Sequence, residues 1–170
     1  MQPNILKSAM LNGLIMGVVF SLNFLLSISK IPSLTLLSYV VVTFILVGMY
    51  KLSIRFRDVE CEGVITYGKA YSFILLTFFF AAIISSVVKY VYFQFINPAY
   101  LEQLLQDSMK ALETLKFPID EAAYEQMGKM MKPASFTLQY IWLNVLMGSF
   151  VGLIMAVFIK KEKSIFEKQD

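Results

Sequence analysis

The sequence contains no histidine and a single cysteine, Cys61, among its 170 residues. Without histidine the chain lacks the commonest general base, proton relay and neutral metal ligand of proteins. One cysteine cannot form an intrachain disulfide bond. The absences therefore argue against histidine-dependent catalysis, a histidine metal centre and a disulfide framework, and no cofactor is predicted.

Charged residues are also absent from four long windows. These windows are Ser8–Ser29, Ile31–Tyr50, Ala70–Val88 and Pro133–Ile159. A helix needs about 20 largely apolar residues to cross the hydrocarbon core of a bilayer. Hydrophobic residues make up 58% of the chain and the mean hydropathy is +0.66, values too apolar for a water-soluble domain of this size. A cleaved signal peptide is disfavoured for the first window, because no small-x-small cleavage site follows it.

The sequence thus predicts one all-α membrane domain over residues 1–170, with four transmembrane helices. Their predicted limits are about 5–28, 34–51, 67–92 and 136–159. Pro32 suits the first turn of the second helix. Lys89, near the end of the third, is expected to extend to the membrane interface, since a charge at the bilayer centre is costly.

An amphipathic helical hairpin is predicted between helices 3 and 4, over about residues 97–133. Asn97 and Pro98 indicate the start of its first helix, Pro118 its end, and Asp120 caps the second helix, which Pro133 stops. Apolar residues recur at three- and four-residue spacing, one face of a helix. We expect the following to dock on a partner or the membrane, or to pack on the bundle itself: Leu101, Leu105, Met109, Leu112, Met127, Met130 and Met131.

Orientation is predicted from the lysine and arginine residues beside the helices. One side has nine: Lys7, Lys51, Arg55, Arg57, Lys69, Lys160, Lys161, Lys163 and Lys168. The other side has six: Lys30, Lys89, Lys110, Lys116, Lys129 and Lys132. Both termini are therefore predicted to be cytoplasmic and the hairpin extracytoplasmic. No basic tract has the form of a nucleic-acid groove, although the net charge is +3.

The segment from residue 55 to 73 is predicted to be the cytoplasmic connection between helices 2 and 3. Arg55 and Arg57 would face anionic head groups, Gly63 and Gly68 would permit turns, and Thr66 would cap helix 3. The alternation of Asp58, Glu60 and Glu62 with Val59 and Cys61 predicts a short extended piece. Three clustered carboxylates are also compatible with a hard cation, but we favour a solvated loop because no multi-ligand geometry is specified.

The sequence resembles a bacterial family known as domain of unknown function 4199. The resemblance is carried, in chain order, by this connection, the "INPAYLEQ" segment, the "MMKPASF" segment and the glycine-containing last helix. In that family a charged turn leads to a Gly-x-Ile/Val-Ser/Thr-aromatic-Gly-x-Ala entry into the third helix. The matching residues here are Gly63, Ile65, Thr66, Tyr67, Gly68 and Ala70. Family members often have a second glycine beside the first, where this chain has Glu62 and Val64. The resemblance implies a four-helix inner-membrane protein of a Gram-negative cell and no known reaction.

Small residues on three of the helices predict close helix contacts, because they let backbones approach. They are Gly13 and Gly17, Ala81 and Ser85, and Gly148 and Gly152. We expect these GxxxG-type pairs to pack within the bundle. A homo-oligomer is compatible with the sequence, but nothing indicates one.

A polar stripe is predicted inside the membrane. It consists of Ser8, Asn12, Asn23 and Ser27 on helix 1 and Asn144 on helix 4. Such groups need partners in lipid, so the stripe is expected to face inward. Interhelical hydrogen bonding is favoured over a solute pathway, since no acidic or basic residue joins the stripe.

Two classes of function follow. The favoured one is a non-catalytic inner-membrane subunit or assembly factor that acts through the hairpin. Its predicted partner is the lipid bilayer; another membrane protein or a periplasmic protein is a second possible partner. The alternative is an oligomeric transporter or channel for a small solute or lipid, lined by the polar stripe. An enzyme is disfavoured, because no nucleophile and base pair can be assigned.

Overall fold

The structure is a computed structural model that describes residues 4–117 and 120–162. Within these ranges the chain forms α-helices and no β-strand. The helices are α1 (Ile5–Ile28), α2 (Pro32–Arg55), α3 (Tyr67–Val91), α4 (Ala99–Thr114), α5 (Glu121–Met130) and α6 (Pro133–Ile159). The all-α prediction is therefore confirmed. Three residues used in the predictions lie outside the described residues: Pro118, for the end of a helix, and Lys163 and Lys168, for the orientation.

Four helices are long and apolar enough to cross a membrane, as the charge-free windows predict. They cover Ile5–Ile28, Pro32–Glu60, Tyr67–Ile96 and Pro133–Ile159. The second and third spans are longer than predicted, because π-helical turns at Phe56–Glu60 and Tyr92–Ile96 extend α2 and α3. Charged residues ended the predicted second helix at Lys51, yet lysine and arginine are good helix formers and do not stop a helix.

The predicted extended piece around Asp58 and Glu60 is wrong. Both residues belong to the π-helical turn, whose last hydrogen bond joins Cys61 N to Phe56 O at 3.2 Å. Five residues of alternating pattern are too few to outweigh a helix that already runs into them. Gly68 was expected to permit a turn, but it lies inside the first turn of α3.

Capping residues explain several helix starts. Pro32 is the first residue of α2, where its missing N–H costs nothing. The Asp120 side chain accepts a hydrogen bond from Ala123 N at 2.7 Å and so caps α5, as predicted. Asn97 is not the cap of α4: the helix begins at Ala99, and the Asn97 side-chain amide donates to Tyr92 Oη at 3.4 Å.

The described chain divides into two compact units. One contains residues 4–85 and 143–162, and the other contains residues 86–117 and 120–142. The core of the first unit is assembled from α1, α2, α3, α6 and the α2–α3 connection. Its most fully buried side chains include Met49, Phe56, Ile65, Phe73 and Ile159. Phe56 stacks on Phe73 with ring centroids 4.1 Å apart.

The second unit is organised around Phe93. This side chain is buried, stacks on Tyr100 and meets Phe136 edge-on, with centroid distances of 5.5 and 5.4 Å. Lys89, expected to extend to the membrane interface, is buried in the protein, and its Nζ lies 3.8 Å from the centroid of the Tyr140 ring. An aromatic face attracts an ammonium group, so the lysine has a partner inside the protein.

Candidate functional site

The α2–α3 connection is a fixed structure tied to the end of α6. Arg57 bonds Asp58 through two nitrogens, at 2.7 and 3.2 Å, and donates a third hydrogen bond to the carbonyl of Ile159 at 3.2 Å. Ile65 and Lys161 exchange two backbone hydrogen bonds of 2.9 and 3.0 Å, an isolated antiparallel bridge. The connection therefore holds the ends of three helices together.

Two further residues of this connection have the local roles expected of them. Gly63 has φ +79°, the left-handed region that favours glycine, and its N–H bonds the carbonyl of Arg57 at 2.9 Å. Thr66 Oγ1 accepts from Lys69 N at 3.5 Å, in the manner of a helix cap. Glu62 also has a left-handed backbone, with φ +55°. Arg55 is exposed and takes no part in these contacts.

Two of the acidic side chains of this connection already bind other groups of the protein, which limits their availability for metal binding. Asp58 pairs with Arg57, and the Glu60 carboxylate accepts a hydrogen bond from the Ser8 hydroxyl. Across residues 4–117 and 120–162 no group of three histidine, cysteine, aspartate or glutamate side chains is close enough to share a metal ion. Burial raises the pKa of the Cys61 thiol, which disfavours the reactive thiolate.

The glycines of α1 and α6 lie against α3. A Cβ atom on Gly13 would be 2.5 Å from Phe80 Cβ, and one on Gly17 would be 2.6 Å from Ile84 Cβ. On α6, the corresponding distance from Gly148 to Phe78 Cβ is 2.6 Å, and Gly152 would approach the Tyr71 ring to 3.2 Å. Gly13, Gly17 and Gly148 have no room for a side chain, and Gly152 has little, so α3 packs closely between two glycine surfaces.

Of the two small residues predicted on α3, Ala81 takes part in the contacts with the α1 glycines. Ala81 is fully buried, and its backbone N and O lie 3.3 and 3.2 Å from the added Cβ positions of Gly13 and Gly17. Ser85 is also buried, and its hydroxyl donates to the carbonyl of Ala82 at 3.1 Å. Hydrogen bonds from Tyr67 to the Leu153 carbonyl (3.2 Å) and between the Tyr71 and Ser149 hydroxyls (2.8 Å) also join α3 to α6.

The polar stripe of α1 does not form a continuous lining. Asn12 donates to the carbonyl of Ser8 at 2.7 Å, and Ser27, which is exposed, donates to the carbonyl of Phe24 at 2.8 Å. Asn23 Oδ1 is buried and has no hydrogen-bond partner among the described residues. Asn144 is half-buried on α6.

One prediction about this stripe is wrong, because an acidic residue does join it. The bond from Ser8 to Glu60 spans 52 residues of sequence, and a spacing pattern within one helix cannot reveal such a contact.

Helices α4 and α5 carry the residues predicted to dock. Leu101 is buried, Leu105, Met109, Leu112, Met127 and Met131 are half-buried, and Met130 is exposed. Leu105 faces α5, since its Cδ2 lies 4.0 Å from the Cβ position of Gly128. Leu101 is thus buried inside this unit, and Leu105 is partly covered by α5.

A hollow of about 320 Å³ lies where α4 ends and α5 begins, and we name it the α4–α5 hollow. Its lining consists of Met109, Glu113, Phe117, Asp120, Glu121 and Tyr124. Phe117 and Tyr124 are 64% and 51% exposed. Sequence reasoning missed Phe117 because it lies outside the three- and four-residue spacing of α4; its position just before Pro118 was the available signal.

Among the described residues, four helices are long and apolar enough to cross a membrane, and two amphipathic helices precede the last of them. This arrangement indicates an all-helical membrane protein. The family model described as protein of unknown function, DUF4199, matches residues 11–161. The chain belongs to this family, in agreement with the resemblance seen in its sequence. No curated protein and no solved structure matches the chain.

Proposed function

We propose that this protein is a non-catalytic membrane accessory protein, a subunit or an assembly factor, that binds a protein partner through α4 and α5. The observation that carries the proposal is the α4–α5 hollow, where exposed aromatic rings and three carboxylates stand together. Aromatic residues are enriched at sites that contact other proteins, and the rim of such sites is polar.

The proposal treats α4 and α5 as an amphipathic hairpin. The contact between Leu105 and Gly128 and the shared lining of the hollow support this pairing. Pairing leaves part of the apolar surface uncovered, because Leu115, Phe117, Tyr124 and Met130 remain 45–68% exposed. Helices of this length gain most of their stability from packing, so we expect the uncovered surface to be covered by something else.

The charge of the segment favours a protein over a lipid surface. From Glu102 to Lys132 it carries six acidic and four basic residues. Helices that lie on anionic membranes are instead rich in lysine and arginine on their polar face. The acidic hollow matches a partner segment that presents a basic group beside an apolar or aromatic one.

The hydrogen bonds of α1 give less support to the alternative, a transporter lined by the polar stripe. Ser8, Asn12 and Ser27 each bond another group of the chain, as packing residues do. In the favoured proposal both termini are cytoplasmic, α4 and α5 are extracytoplasmic, and the membrane is the inner membrane of a bacterium. Reporter fusions after Ser33, Gly63 and Glu113 test this orientation: activity of a cytoplasmic reporter at Glu113 would contradict it.

A photoreactive amino acid at position 117 or 124 tests the partner proposal in native membranes. We expect a discrete protein adduct at both positions. Substituting Glu113→Lys together with Glu121→Gln should remove the adduct, because both changes reduce the negative charge of the hollow. The matched control is Glu102→Lys, on the same helix but outside the lining, which should leave the adduct unchanged.

Three results would overturn the proposal. They are adducts to lipid alone, a protein adduct that persists in the Glu113→Lys, Glu121→Gln variant, and equal loss in the Glu102→Lys control. The double variant must retain the helicity of the unmodified protein, measured by circular dichroism. Asp120 is left unchanged because it caps α5.

A further inference from the structure

An apolar groove of about 450 Å³ lies between α1 and α2 and is named here the α1–α2 groove. Its walls include Ile15 and Val19 from α1 and Phe44 and Gly48 from α2. Ile15 and Phe44 are 55% and 67% exposed, so the groove opens at the surface of the helices that could span the membrane. A lipid-facing surface of this kind is occupied by acyl chains.

Gly48 gives the groove its depth. A Cβ atom at this position would have no heavy atom within 4 Å, whereas a Cβ atom on the glycines of α1 or α6 would lie within 3.2 Å of an α3 atom. Gly48 is therefore not needed for contact between helices of this chain. Its effect is to leave open space along α2, which an external group can fill.

Two cations line the groove towards the end of α2. Lys51 and Arg55 are four residues apart, hence on one face of the helix, and both are exposed. Among the described residues neither forms an ion pair; the ion pairs there are Arg57–Asp58 and Lys129–Glu125. Asp58, the nearest carboxylate along the chain, is already paired with Arg57. The positive charge at this end of the groove is thus not neutralised by a neighbouring carboxylate.

We propose that the α1–α2 groove is a binding site for an anionic phospholipid. One acyl chain lies against Ile15, Val19 and Phe44 in the space left by Gly48, and the phosphate is bound by Lys51 and Arg55. An apolar channel that ends in two unpaired cations matches a molecule with an acyl chain and a net negative head group. A zwitterionic lipid fits the channel equally well but offers no net charge to the two cations.

The strength of the preference follows from the charge near the membrane surface. Each lysine or arginine there contributes about 1 kcal/mol to the attraction of anionic lipids, about fivefold in affinity. Neutralising one cation should therefore lower the preference for an anionic lipid about fivefold, and neutralising both about thirtyfold. Binding of a zwitterionic lipid with the same acyl chains should not change.

The test uses the full chain in nanodiscs of phosphatidylcholine with a minor fraction of phosphatidylglycerol, both with the same acyl chains. Native mass spectrometry after mild delipidation then measures how much of each lipid is retained. We expect retained phosphatidylglycerol in excess of its fraction in the nanodisc. The excess should be lost in the Lys51→Gln, Arg55→Gln variant and kept in Lys69→Gln, Lys160→Gln. That control pair removes the same charge from other helix ends.

Filling the groove provides an independent arm. Gly48→Leu should reduce retention of both lipids, because its side chain takes the space of the acyl chain. Ile15→Trp fills the groove from the opposite wall and serves the same purpose if Gly48→Leu lowers helicity. Equal retention of the two lipids by the unmodified protein would overturn the proposal. So would an equal effect of the two charge-removing pairs, or no effect of either filled groove.

Discussion

Substituting Gly13 or Gly17 with alanine should destabilise the bundle, whereas the same change at Gly48 should not. The 2.5 Å distance between a Cβ on Gly13 and Phe80 Cβ must grow to at least 3.4 Å to become an ordinary contact. Both atoms are attached directly to the backbone, so no rotation of a side chain can relieve the clash. Helices α1 and α3 must instead separate by about 0.9 Å.

The magnitude is the balance of two effects. Alanine is favoured over glycine in a helix by about 1 kcal/mol. Overpacking a closely packed site costs about 1–3 kcal/mol. At Gly48 only the helix preference of alanine acts, because an added Cβ would have no heavy atom within 4 Å. We therefore expect Gly13→Ala and Gly17→Ala to be less stable than Gly48→Ala by about 1–3 kcal/mol, a difference in which the helix preference cancels.

Reversible unfolding in mixed detergent micelles, followed by circular dichroism, gives the required free energies. Equal free energies of unfolding for Gly13→Ala and Gly48→Ala would refute the close approach of α1 to α3. The α6 glycine offers a replicate, because a Cβ on Gly148 would lie 2.6 Å from Phe78 Cβ. In a Phe80→Gly background, Gly13→Ala should cost less stability than it does in the unmodified protein, because the second atom of the clash is absent.

Three further outcomes are expected. Gly63→Ala should cost about 1–2 kcal/mol of unfolding free energy, because alanine is strained at φ +79°; no loss would contradict this backbone. Phe56→Ala should cost about 3–5 kcal/mol, since its ring is buried against Phe73, while exposed Phe95→Ala changes stability little. Burial raises the pKa of the Cys61 thiol, so alkylation should reach half its maximal rate at a higher pH in the folded protein than in the denatured one. Folding stability should correspondingly fall as the pH rises past the ordinary thiol pKa of about 8.5; identical alkylation profiles would refute the burial.

The spans could be predicted from the sequence because they depend on local composition. A window without charge and of sufficient length identifies a membrane-crossing helix whatever its neighbours are. The limits of α2 were harder to predict, since Lys51 and Arg55 end the apolar window without ending the helix. Hydropathy measures where a helix can be in lipid and does not measure where the backbone stops being helical.

The contacts between distant residues could not be predicted from a single sequence. The contact of the Lys89 ammonium group with the ring of Tyr140, 51 residues further along the chain, is not visible in any spacing pattern. The bond between Ser8 and Glu60 likewise joins residues that no pattern of spacing connects. Sequence periodicity reports the face of one helix, and it does not identify the residue that lies opposite.

The backbone of Glu62 lies in the left-handed region, with φ +55°, a conformation that glycine adopts without strain. Glu62→Gly should therefore fit the turn without rearrangement.

The glycine surfaces of α1 have a consequence for how the chain is made. Ribosomes synthesise α1 and α2 before α3, so Gly13 and Gly17 exist before Phe80 and Ile84. Until α3 is made, the close-packing face of α1 lacks the helix that it packs against. The time needed to translate the intervening segment is thus an interval in which another helix can occupy that face.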